Sequence, residues 1–151
     1  MKINQVFAII VVCFSMTVQA QELKVKCDAY TDKGLADDIT LTITQLGGEG
    51  VPNVLKQVGK HKLYFAAGEE YMLTYEKEGY VTKTIHLVTP ERLESKKTIE
   101  FDVLLLPQPT EQGELTYTAP VGFIYFTGAN TMKYKKDYKF VVNENVIMAT
   151  K

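Results

Sequence analysis

From Leu23 onward the chain repeats with a period of two, and that period dictates paired strands. Leu23, Val25, Cys27 and Ala29 alternate with Lys24, Lys26, Asp28 and Tyr30. Successive side chains of an extended strand point to opposite faces, so this segment has one buried side and one wet side. Ile39, Leu41 and Ile43 alternate with Thr40, Thr42 and Thr44, a β-branched run suited to a pleated surface. The glycines of Gly47-Gly48-Glu49-Gly50 end it. Pro52 would cost a ladder hydrogen bond in a central strand, which predicts an edge position for Val51 to Val58. Leu63 and Phe65 open the next strand after Gly59, and Tyr71, Leu73 and Tyr75 share a face. Glu76-Lys77-Glu78-Gly79 should then turn the chain back into Val81 to Val88, with Val81, Ile85 and Leu87 inward.

The second half is more varied. Thr89-Pro90-Glu91-Arg92-Leu93-Glu94 breaks the alternation, and threonine before proline with acids in a first turn predicts one short helical turn. Ile99, Phe101, Val103 and Leu105 resume the period, while the run Leu104-Leu105-Leu106 predicts a strand end covered on both faces. Residues 108–119 read as a linker by their proline and polar content, dividing a core domain of residues 21–107 from an extension of residues 120–151. Within the extension, Val121 to Thr127 and the stretch around Met132 and Tyr134 predict a hairpin. Tyr138, Val141, Val142, Asn145, Val146 and Ala149 fall at the spacing of a short C-terminal helix, against the β preference of the valines.

Residues 1–20 place the protein. Lys2, the apolar run from Val6 to Met16 and the small-residue ending Val18-Gln19-Ala20 form an export signal cleaved after Ala20. The run is shorter than the roughly 20 apolar residues that span a bilayer, and no later segment reads as an anchor. The protein is expected to be exported, to the periplasm or beyond the cell. With Cys13 removed in the signal, Cys27 is left as a lone cysteine on a core face, a small buried hydrophobe or an intermolecular partner.

Few residues point to chemistry. Ser95 or Cys27 with His61 or His86 would have to build any nucleophilic triad. Ser95 sits in a charged loop, Cys27 faces the core, His61 falls in a polar connection and His86 alternates outward, so an enzyme is not expected. Asp28, Asp32, Asp37 and Asp38 cluster about one turn, which is oxygen chemistry suited to calcium, but their spacing matches no calcium loop, and acids flanking a turn are ordinary solubilising and turn-forming residues. No cofactor is called for. The 17 basic side chains against 18 acidic ones, with a single arginine, Arg92, argue against nucleic acid. The tyrosines are the open question. Tyr125, Tyr134 and Tyr138 lie in an aromatic, lysine-rich segment and are the candidate interaction surface.

The stretch from Gly68 to Lys83, with the Lys77-Glu78-Gly79-Tyr80 core, resembles carboxypeptidase-regulatory-like domains, including small exported proteins of Bacteroidota. Phe101-Asp102-Val103-Leu104-Leu105-Leu106-Pro107, Pro120-Val121, Ile124-Tyr125-Phe126 and Tyr134-Lys135-Lys136-Asp137-Tyr138 extend the resemblance. It implies an all-β, transthyretin-like or Ig-like β-sandwich of about seven strands that serves as a docking module without chemistry of its own. In that motif Gly79 permits the turn, and the tyrosine beside it lays its ring on the sandwich edge with its hydroxyl in water. The usual aspartate-glycine turn before the middle strands is replaced by Val58-Gly59-Lys60-His61. The functional expectation is an accessory protein that docks on a cell-envelope or secretion-associated protein; the alternative is a module that binds an extracellular glycan or peptide. Coplanar exposed tyrosines would favour glycan, whereas an unpaired strand edge beside an apolar patch would favour protein.

Overall fold

The computed structural model describes residues 22–93, 97–109, 115–127, 131–136 and 140–142. The expected export signal, Ser95, Tyr138 and most of the expected C-terminal helix lie outside them. The described residues contain strands and no helix. They run β1 (Glu22–Thr31), β2 (Gly34–Leu35), β3 (Ile39–Leu46), β4 (Asn53–Val58), β5 (Lys60–Ala66), β6 (Glu70–Glu76), β7 (Lys83–Val88), β8 (Lys97–Leu104), β9 (Leu115–Tyr117), β10 (Gly122–Thr127), β11 (Thr131–Lys136) and β12 (Phe140–Val142).

Two sheets pack face to face as a β-sandwich. In the first, β1 is central. It pairs antiparallel with β5 and, at its end, with β2 on one side, and parallel with β8 on the other. The second sheet has the order β11-β10-β7-β6-β3-β4. A third, two-stranded sheet joins β9 to β12. The inward faces follow the period of two: Leu23, Val25, Cys27 and Ala29 of β1 are fully buried against Leu73 and Tyr75 of β6, Ile39 and Leu41 of β3, and Leu87 of β7. Each such aliphatic side chain contributes roughly 1.5–3 kcal/mol when taken wholly out of water.

Several expectations hold in detail. Residues 22–104 contain seven strands of six or more residues. The segment with Pro52 leads into β4, an edge strand. Gly79 turns the β6–β7 hairpin in the left-handed region at φ +78°, where a residue lacking Cβ is unstrained. Residues 122–136 form the expected hairpin, and β10 lies parallel to β7, so the hairpin widens the second sheet.

Others are corrected. Thr89 to Leu93 forms no helical turn. The Thr89 hydroxyl instead donates to the Ala66 and Glu69 carbonyls and accepts from the Glu69 amide, while Leu93 drops into the core. Those bonds tie the strand end to the β5–β6 connection. Phe140–Val142 is a strand paired with β9, where helical spacing predicted a helix; β-branched residues fit a pleated strand better. Leu104 and Leu106 are not covered but stand 48% and 39% exposed. The start of the expected linker is pinned, since the Gln108 amide donates to the Gly79 carbonyl and its side chain bonds both the amide and the carbonyl of Leu115.

The chain crosses between sheets at Gly59, whose carbonyl accepts the Ala29 amide at 2.8 Å. A Cβ there would lie 2.0 Å from the Ala36 carbonyl oxygen, which is backbone and cannot swing aside. Gly59→Ala should therefore destabilise the protein by about 2–3 kcal/mol through overpacking, read as a lower denaturant midpoint. Gly50→Ala, with open space at its Cβ position, should remain within about 0.5 kcal/mol of the parent.

Candidate interaction surface

The second sheet is wider than the first, and β10 and β11 reach past β8. Cross-strand partners share a face, so Met132, Tyr134 and Lys136 stand on the same side as Phe126, Ile124 and Gly122. Ile124 is buried, which identifies that side as inward. Yet Met132 and Tyr134 are 39% and 45% exposed, because among the described residues the first sheet ends at β8. Between them runs a groove of about 580 Å³, with Ile85 and Val121 on one side, Phe101, Leu104 and Leu106 on the other, and Tyr134 at its rim. The Tyr134 ring lies over Gly122, where a Cβ would meet it at 3.0 Å. Glycine is thus what lets the ring form the groove wall.

Lysines sit at one end of this groove. Lys83 falls in the inward register with Val81, Ile85 and Leu87 and is buried, its Nζ donating to the Leu104 carbonyl. Burial holds its ammonium below the usual lysine range, and nearby Lys136 adds to that shift. Toward the start of β8, Lys97 stands over the Phe126 ring.

Of the expected tyrosines, Tyr138 lies outside the described residues, and the other two do not share a face. Tyr125 pairs with Lys133 on the outward side, opposite to Tyr134. The outward side around Tyr125 carries Phe123, whose ring meets His86 edge-on at 5.6 Å. His86 also pairs with Glu70 at 3.1 Å. Tyr80, expected to keep its hydroxyl in water, donates it to Asp32 at 2.7 Å, and Lys77 sits over its ring.

The acidic cluster disperses among separate partners. Asp28 meets Lys60 at 3.3 Å, Asp32 accepts from Tyr80, and Asp38 pairs with Lys77, whose hydrogen bond holds its carboxyl below the usual range. Among the described residues no group of three His, Cys, Asp or Glu side chains converges.

A polar cluster that the alternation does not reveal lies inside the sandwich. His61 is in β5 opposite Cys27, not in a polar connection. The buried Tyr75 hydroxyl donates to Cys27 Sγ at 3.3 Å and lies 3.3 Å from His61 Nε2. Burial pushes the Cys27 thiol up to about 12, despite the lowering effect of the Tyr75 bond, so it is neutral at physiological pH and not an activated nucleophile. The cluster serves packing: a thiol, a phenol and a half-buried imidazole bond one another between the sheets, while His61 Nδ1 is buried without a hydrogen-bond partner among the described residues.

Tyr75→Phe should cost about 1–2 kcal/mol by removing the donor to Cys27 Sγ and the partner of His61 Nε2, read by equilibrium unfolding. Burial lowers the His61 pKa below the ordinary 6.5, the Gly59 carbonyl and Asp28 pulling the other way. The unfolded chain therefore takes up this proton at higher pH than the folded one. The stability associated with neutral His61 is full above about pH 6.5 and is lost as pH falls through the folded-state pKa below it. His61→Gln should remove that acid-side slope in a pH series of unfolding midpoints. No family model and no curated protein matches the chain.

Proposed function

We propose that this protein is a non-catalytic, exported accessory module that docks on another protein of the cell envelope or secretion machinery. The observation that carries the reading is the groove beside β8, where Leu104 and Leu106 stand exposed and line the same groove as Tyr134. Apolar side chains grouped at a rim of lysines and a tyrosine are the composition of a protein-binding surface. The resemblance of Gly68 to Lys83 to carboxypeptidase-regulatory-like domains supports a docking module, and the signal-like residues 1–20 support an envelope address. A glycan platform is less favoured, because Tyr125 and Tyr134 face opposite sides of their hairpin and offer no common stacking plane.

The test is crosslinking in the native cell with tagged protein, read by mass spectrometry. One envelope protein should be recovered at high occupancy, with crosslinks at Lys133 or Lys136. A Leu104→Asp, Leu106→Asp double variant should lose at least about tenfold of that recovery, while its thermal midpoint stays within a few degrees because both side chains are exposed. Recovery of no protein partner, together with retention of the parent on a glycan array, would overturn the docking reading.

A further inference from the structure

We infer that the partner enters as an extended strand that hydrogen-bonds to the outer edge of β8 and sets a lysine or arginine beside Asp102. The inference rests on the docking reading above and gives the partner its chemistry.

Backbone direction fixes where a strand can add. The Leu105 amide donates to the Tyr30 carbonyl of β1 at 2.8 Å. Because amides alternate along a strand, Ile99, Phe101 and Val103 also turn theirs toward β1, while Thr98, Glu100 and Asp102 direct theirs away. Among the described residues, no strand pairs with that outer edge. It closes at its C-terminal end: Lys83 takes the Leu104 carbonyl, and the Val81 amide donates to the Leu106 carbonyl. The open length is thus residues 98–102.

The other sheet edges carry features that oppose addition. On β11, Lys133, Lys135 and Lys136 are exposed, and β5 carries Lys60 and Lys62. On β4, Gln57 is in the left-handed region at φ +58°, and the pairing with β3 slips between Ile39 and Leu41.

Each face of an added strand meets different chemistry. Its inward side chains would stand beside Ile99, Phe101 and Val103 and cover Phe126 and Tyr134, which calls for apolar residues. Its outward side chains would extend the rows that cross the first sheet. One row reads Lys62, Lys26, Glu100, and Lys26 pairs with Glu100. The next reads Lys60, Asp28, Asp102. Lys60 serves Asp28, and Asp102 ends the row beside a like charge, with no ion pair among the described residues. A cation on the added strand completes that row.

The probes are two short acetylated and amidated peptides that alternate valine with threonine, one with a central lysine and one with a central glutamate. They are titrated into the isotope-labelled protein while amide hydrogen exchange is followed by NMR. The lysine peptide should slow exchange at Thr98, Glu100 and Asp102 and bind roughly three- to tenfold tighter than the glutamate peptide; Asp102→Lys should reverse the preference. Unchanged exchange at those three amides, or equal binding of the two peptides by parent and variant, overturns the inference. If the in-cell partner is still captured in that case, docking stands and strand addition alone fails. Protection that grows with protein concentration before any peptide is added would make a second copy the occupant and also overturn it.

Discussion

The parallel pairing of β1 with β8 is the constraint on which the rest of the sandwich depends. Every residue from Leu23 to Tyr30 has a partner in β8, and residues up to Asp28 have another in β5. Parallel neighbours cannot be joined by a hairpin, and the connection usually passes through a helix. Here it passes through β3, β4, β6 and β7 of the opposite sheet and through β5 at the far edge. β8 follows the strands of both layers in chain order, and among the described residues it is the last strand of the first sheet. Among the described residues no strand pairs with its outer edge, and the chain beyond it leaves at Leu106 to bond Val81 and then Gly79 on the other sheet.

What was legible in the sequence was the alternation and its punctuation. Side-chain parity identified the buried faces of β1, β6 and β7 without knowledge of what covers them, and Pro52 and Gly79 marked an edge and a turn through backbone chemistry that holds in any context. The misreadings arose where two tertiary arrangements share one local pattern. Thr89-Pro90 followed by acids suits a helix start, but a threonine hydroxyl bonds equally well to a carbonyl brought near by the β5–β6 connection. His61 was hidden among lysines, and only its pairing with Cys27 shows that it borders the core. The run Leu104-Leu105-Leu106 carries the same hydrophobicity whether a strand is covered or awaits a cover.

The candidate surface was legible in its location but not in its geometry. Tyrosines and lysines drew attention to the hairpin, yet which tyrosines share a side depends on the register across residues 128–130, and a shift of one residue would invert every face. Lys83 illustrates a different lapse. It shares the inward parity of Val81, Ile85 and Leu87, but a pattern read from apolar residues alone passes over a charged one. A lysine can be buried when its ammonium reaches an acceptor, and its aliphatic stem then packs like any other core side chain.

Lys83 also links stability to the surface. Burying an ammonium carries a desolvation cost, and its lowered pKa is the sign of that cost. The carbonyl it meets belongs to Leu104, where β8 would otherwise continue its open edge. An uncharged acceptor offsets part of the cost, and in return the lysine blocks the edge at the point where the chain turns toward Val81. The exposed leucines therefore flank an edge whose C-terminal end is defined, and among the described residues its outward amides are those of Thr98, Glu100 and Asp102. A long open edge invites nonspecific pairing, whereas a short one bounded by a buried cation accepts a segment of limited length in one register. That limit, more than apolar area, is what would make the surface selective.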